Sequence, residues 1–192
     1  AEKEAFTNIF KMMKYYNRLG GVLVQFPWSF INTGANFDYL RRLTDWFRAF
    51  PLIYEVRHDS WHKLAFFNYL NQNHLSFCNI DQPSKSHGIP LTDYVPGDIG
   101  YLRLHGRNEA NWFGDHTNRD MRYDYLYKAS EIDELVKVVN TLREKSDKVF
   151  VVGNNHYRGQ AVVNLIQIKE KVFGMKLPFP GNLREYFELS PF

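Results

Sequence analysis

Arg103 and His105 stand two residues apart in the run Tyr101-Leu102-Arg103-Leu104-His105-Gly106. On an extended strand they therefore share one face with Tyr101, while Leu102 and Leu104 share the other. An arginine gives planar, bidentate recognition of a carboxylate or phosphate, and a histidine exchanges a proton near neutral pH. The same pair also suits a purely structural role, with Arg103 paired to Glu55 inside the fold and His105 hydrogen-bonded at a strand end. Other runs repeat the arrangement. Gln25 alternates with Val24 and Phe26, Glu55 and Arg57 with Tyr54 and Val56, and Asn79 and Asp81 with Cys78 and Ile80, while Asn154 and Asn155 close a last run.

Gathered in one pocket, these groups divide into chemical roles. Arg103 and Arg57 would bind an anion, and His105 and Asp81 would handle protons. Gln25, Asn154, Asn155 and His58 would orient a substrate, although His58 and Arg57 point to opposite sides of one strand. Asp81, which precedes Pro83, equally suits a bond to loop amides. Trp28 suits stacking on a ligand or packing in its own loop. A divalent metal is the weaker alternative: His58, Asp81, His105, His156 and Glu55 all come near strand ends, but no tight ligand motif links them and the arginines repel a cation. No metal or other cofactor is expected. A G-x-S-x-G elbow, a glycine-rich phosphate loop and a dinucleotide fingerprint are all missing, which disfavours Ser-His-Asp acyl transfer and nucleotide cofactors.

The elements that must position these residues alternate regularly. Strand patterns cover 22–26, 52–57, 75–81, 100–106 and 149–155. Helical patterns cover 1–18, 36–50, 61–71 with Asp59 or Ser60 as its cap, 130 onward, and 160–172. The segments 82–99 and 107–129 are long for connections and read as binding loops or a lid, with no regular element expected in 108–127. An aromatic tail, 178–192, is expected to pack over the scaffold. Strands apolar on both faces and separated by helices imply a parallel sheet with right-handed crossovers. Ligands then bind at the carboxyl ends of the strands, where the loops gather.

At 192 residues, 44% hydrophobic and 17% aromatic, the chain supports one β/α domain over 1–192. A net charge of +3 without basic clusters gives only weak support to nucleic acid as a partner. One cysteine, Cys78, and the absence of an apolar spanning run or a signal peptide lead to the expectation of a cytoplasmic protein with no membrane partner.

Four motifs, Gln25-Phe26-Pro27-Trp28-Ser29-Phe30, Glu55-Val56-Arg57-His58, Tyr101-Leu102-Arg103-Leu104-His105-Gly106 and Asn154-Asn155-His156, resemble the YecE-like family of unknown function in order and spacing across residues 19–170. Tyr125-Leu126-Tyr127 ahead of Glu134-Leu135 adds a fifth similarity. Asp59 departs from the proline that tends to follow the histidine in that family, and Gly153 departs from the aromatic that usually precedes the asparagines. The resemblance implies a TIM-type β/α barrel. Because five strands do not close an eight-stranded barrel, its amino-terminal strands are expected either outside this chain or replaced by another subunit's cover over the open edges. The resemblance brings no reaction with it. The residues fit an enzyme acting on a small polar, anionic or hydroxyl-rich substrate. The alternative is a non-catalytic binding module for a phosphorylated metabolite or nucleic acid, built on the same arginines. Titratable groups within hydrogen-bond reach would favour the first, and a broad basic face with exposed aromatics the second.

Overall fold

In the computed structural model, which describes residues 2–83, 87–112 and 119–187, five parallel strands lie side by side in chain order. The elements are α1 (Glu2–Tyr15), β1 (Val22–Gln25), α2 (Gly34–Phe47), β2 (Leu52–Glu55), α3 (Leu64–Gln72), β3 (Ser76–Asp81), β4 (Ile99–Leu104), α4 (Glu109–Trp112), α5 (Ala129–Lys145), β5 (Lys148–Gly153), α6 (Gln160–Phe173) and α7 (Gly181–Tyr186). Each strand follows a helix or a long connection, which parallel neighbours require. No helix among the described residues is long and apolar enough to cross a membrane.

Register assigns the faces. Gln25 pairs with Glu55, Ile53 with Ser76, Cys78 with Tyr101, and Arg103 with Val152. One face of the sheet therefore carries Leu23, Gln25, Ile53, Glu55, Cys78, Ile80, Tyr101, Arg103, Phe150 and Val152. The sheet curls around this face. In a flat sheet β1 and β4 would stand roughly 14 Å apart, three strand spacings, yet Arg103 Nη1 on β4 donates to Gln25 Oε1 on β1 over 2.6 Å. At the amino ends Phe150 of β5 reaches the segment before β1, where a Cβ on Gly20 would lie 2.9 Å from its ring. A side chain at position 20 would push against that ring, so glycine there permits the curl.

The opposite, convex face packs on helices. Leu102 and Leu104 meet Ile132, Leu135, Val139 and Leu142 of α5 and Ile168 of α6. Under α2 and α3 the core is aromatic: Trp61 stacks on Phe30 at 5.2 Å and meets Phe66 edge-on at 5.0 Å. Caps set the helix ends. Thr33 accepts the Asn36 N–H ahead of α2, and Glu131 accepts the Lys128 N–H ahead of α5. Gly174, at φ 62°, ends α6 with its N–H on the Glu170 carbonyl.

Several elements differ from the sequence expectation. The helix expected from 61 with Asp59 or Ser60 as its cap begins instead at Leu64, after Lys63 and without a side-chain cap, and a 3-10 turn, Asp59–Trp61, precedes it, capped by His58, which accepts the Ser60 N–H. The segment 107–129 contains α4 and a 3-10 turn, Arg119–Tyr123. The part of the expected lid at 113–118 lies outside the described residues, as does 84–86 of the other loop. The remainder of that other loop is tied down: Asn79 Oδ1 accepts the Tyr94 N–H at 2.9 Å, and Ile89 is buried. In the tail α7 forms, with Leu183 against Gly159 and the Tyr186 hydroxyl accepting from Arg158.

Candidate functional site at the carboxyl ends of the strands

Glu55 is the centre of the concave face. It is fully buried on β2, where an unpaired carboxylate would be costly. Arg103 reaches it from β4 through Nη1, and Arg57, two residues past the end of β2, places Nε 3.0 Å and Nη2 2.9 Å from Oε1. Arg103 is held further by Gln25 and by Asn154, whose Oδ1 accepts from Nε at 3.2 Å. Both arginine side chains keep 15% of their surface exposed. His105 is buried with Nε2 3.8 Å from Glu55 Oε1, an electrostatic contact too long for a hydrogen bond. Cys78 lies beneath, its Sγ 3.9 Å from Glu55 Oε2. Gln25, Arg57, Arg103, His105 and Asn154 are thus brought together around a carboxylate that the sequence offered as a structural partner of Arg103 and as one of five weighed metal ligands.

Asp81 does not join them. Its parity on β3 matches Asn79, not Cys78, so it projects from the convex side toward α5. There Arg107 forks onto it, with Nε 2.9 Å and Nη2 2.7 Å from Oδ1, and the Tyr127 hydroxyl donates to Oδ2. Arg107 Nη2 continues to Glu134 of α5 at 2.9 Å, and Tyr127 Oη accepts the Gly106 N–H at 3.0 Å. The placement of Asp81 beside His105 in one pocket is corrected accordingly: only its backbone carbonyl meets His105, accepting that residue's N–H at 2.8 Å. Asn155 is likewise turned away, donating to the Tyr125 carbonyl and to Asn164 Oδ1, both at 2.9 Å.

His58 leaves the concave face for the rim. Its ring lies 5.7 Å from Trp28 and 5.5 Å from His87, and its Nδ1 is 3.1 Å from Asp59 Oδ1. His156 is elsewhere, with Nδ1 2.8 Å from the Asn154 carbonyl and its ring 5.2 Å from Tyr123. The five residues weighed as metal ligands therefore do not assemble into one cluster. Among the described residues, apolar cavities lie off the polar set. A groove of about 460 Å³ runs along the convex side of β5, lined by Val149, Val151, Leu165 and Val172. Another, at the amino ends, is lined by Leu23, Ile53, Tyr101 and Phe150.

Arg107, Tyr127 and Glu134 were missed as partners of Asp81. The signal available was Tyr125-Leu126-Tyr127 ahead of Glu134, which marks the place without revealing the pairing.

The family model for "Protein of unknown function DUF72" matches residues 1–180. The chain belongs to the DUF72 family. It is 31% identical over 167 residues to UPF0759 protein YunF of Bacillus subtilis, covering 80% of this chain and 58% of that protein. A DUF72 family protein from Thermotoga maritima superposes with a TM-score of 0.83 at 33% identity, over 89% of this chain and 64% of that one. Another, from Enterococcus faecalis, gives 0.81 at 29%, over 93% and 68%. The chain therefore spans a little under two thirds of the Thermotoga protein and less of YunF.

Electrostatics in this DUF72 chain make its stability depend on pH. Burial pushes the Glu55 carboxyl up, but His105, Arg103 and Arg57 together outweigh burial and hold it at about 2 against an ordinary 4.5. Burial pushes His105 down, and Glu55 only partly offsets this, so the imidazole is neutral at pH 7. A depressed carboxylate contributes stability that is complete above its unfolded value of about 4.5 and lost as pH falls toward 2, on the order of 3 kcal/mol for Glu55. His105 takes up its proton more readily in the unfolded chain, so stability also declines below about pH 6.5. Asp81 acts in the opposite sense: burial raises its carboxyl more than Arg107 and Tyr127 lower it. Urea midpoints should fall from pH 7 to pH 3, and Glu55→Gln should flatten the acid limb below pH 4.5. An acid limb of unchanged slope in that variant would contradict the assignment.

Proposed function

We propose that the concave face of this chain binds a small anionic or hydroxyl-rich molecule at the carboxyl ends of the strands, through Arg57 and Arg103. The observation that carries this reading is the charge count around Glu55: two guanidiniums share one buried carboxylate, beside a neutral histidine. One positive charge is left over, on side chains that remain partly exposed. Arg103 Nη2 and Arg57 Nη1 make no hydrogen bond to a described residue, which leaves donors for an incoming anion. Gln25 and Asn154 supply neutral hydrogen bonds that fix the Arg103 fork, as a preorganised site requires. His105 is the residue we assign to proton transfer if the bound molecule reacts, because a neutral imidazole accepts a proton. Asp81 acts as a positioning residue, holding Arg107 and the strand end that carries His105.

The four motifs support a finer, YecE-like assignment within the family, and the curl of the sheet supports a TIM-type barrel of which these five strands form one arc. In that arrangement further β/α units would cover the apolar groove beside β5.

The reading is tested by titrating inorganic phosphate and a panel of phosphorylated sugars into the protein. Arg103→Met should weaken binding about tenfold or more, the value of a charge-assisted hydrogen bond. Arg41→Met, at an exposed arginine on α2 that pairs with nearby Asp38 and lies over the Phe37 ring, should leave binding unchanged. Equal affinity for the Arg103 variant and the unaltered protein would defeat the proposal.

A further inference from the structure

We propose that His58, Asp59 and His87 form a binding site for a late first-row divalent cation, Zn²⁺ foremost, on the rim outside the concave face. One ligand atom from each residue lies within 4.8 Å of the others. Asp59 sits between the imidazoles, with Oδ1 3.1 Å from His58 Nδ1 and Oδ2 3.0 Å from His87 Nδ1. Zinc bonds of about 2.0–2.1 Å in a tetrahedral shell put neighbouring ligand atoms roughly 3.4 Å apart, so these groups need to move only slightly. The two rings lie nearly parallel, 10° apart with centroids at 5.5 Å.

The ligands come from two segments that the backbone already joins. Asp59 N donates to the His87 carbonyl at 2.8 Å, Ile89 N donates to the Arg57 carbonyl at 2.9 Å, and His58 bridges Gly88. His87 adopts φ 68°, a left-handed conformation that a residue with a side chain rarely takes. His58 Nδ1 lies 3.1 Å from the Ser60 N–H and 3.0 Å from Ser60 Oγ, so with the ring proton on Nε2 that nitrogen offers a lone pair, the form a metal requires. The cation would replace the Ser60 N–H on it. Arg57, next in sequence, directs its guanidinium at Glu55 on the concave face rather than at this cluster. Imidazole and carboxylate donors together suit zinc better than the hard cations calcium and magnesium. Three protein ligands leave a fourth position open to water or an anionic ligand.

The site stands independently of the anion reading, and its test needs no activity. Zn²⁺ is titrated into the metal-free full chain in competition with a chromophoric chelator. The unaltered protein should take up one equivalent. His87→Ala and Asp59→Asn should each weaken it by about a hundredfold or more, since even the outer partners of metal ligands are worth about 10–100-fold. His62→Ala, an exposed histidine outside the cluster, should bind as the unaltered protein does. Thermal melts of the metal-free variants show whether they remain folded, and X-ray absorption of the zinc-loaded protein should show nitrogen and oxygen neighbours only, at about 2.0–2.1 Å. Unchanged affinity in a folded His87→Ala, or equal loss in His62→Ala, would overturn the proposal.

Discussion

Glu55→Gln is expected to lower the stability of the fold by about 3–5 kcal/mol, the cost of removing one partner from a buried ion pair. The amide keeps the shape of the carboxyl and one acceptor, so packing is preserved and the loss is electrostatic. Arg57 and Arg103 then face each other across a buried position with no anion between them. Chemical denaturation measures the loss, and phosphate adds a second readout. If the guanidiniums accept an external anion, tens of millimolar phosphate should restore more stability to Glu55→Gln than to the unaltered protein, by mass action. A variant that melts like the parent would show that Glu55 is not the counter-charge on which the concave face depends.

Asp81→Asn should also destabilise the fold, by about 1–3 kcal/mol, the cost of leaving its buried partners short of an acceptor, with burial of the Asp81 charge offsetting part of the ion pair. Asp81 is 2% exposed and holds three groups at once: Arg107 in a fork, the Tyr127 hydroxyl, and through Arg107 the Glu134 carboxylate of α5. Removing its charge frees Arg107 and loosens the segment between β4 and α5. Pairing Asp81→Asn with Arg107→Met should recover part of the loss, because the second change removes the orphaned cation. Binding at Arg103 should survive in the double variant, since Asp81 faces the opposite side of the sheet. Its disappearance would place Asp81 back in the site, beside His105.

Much of the scaffold is legible from hydrophobic periodicity. All five apolar runs are strands, and the helices at 1–18, 36–50, 130 onward and 160–172 sit within a few residues of α1, α2, α5 and α6. Strand ends were read long because bonding continues past the ladders: Phe26 N still donates to the Glu55 carbonyl and His105 N to that of Asp81. Alternation placed Gln25, Glu55, Arg57, Arg103 and His105 on one face, since their neighbours on those strands are apolar. On β3 it failed. Ser76, Cys78 and Ile80 on one side and Phe77, Asn79 and Asp81 on the other are all buried, so polarity does not mark the pocket side. Asn79 and Asp81 are polar because they anchor loops on the convex face, Asn79 through Tyr94 and Asp81 through Arg107. Asn154 and Asn155 are indistinguishable by type, and only the turn after β5 decides that the first meets Arg103 and the second meets Asn164. The His58, Asp59 and His87 cluster joins residues 28 positions apart, a contact that no local pattern reveals.

The central claim, that Arg57 and Arg103 present a surplus positive charge to a small anion at the carboxyl ends of the strands, is tested most directly by a crystal structure of the protein soaked in phosphate or a phosphorylated sugar, with difference density compared between the unaltered chain and Arg103→Met. The account predicts a phosphoryl group within hydrogen-bond distance of Arg103 Nη2 and Arg57 Nη1 in the first and none there in the second. A concave face still empty at saturating ligand, or an anion held equally well in the variant, would contradict it.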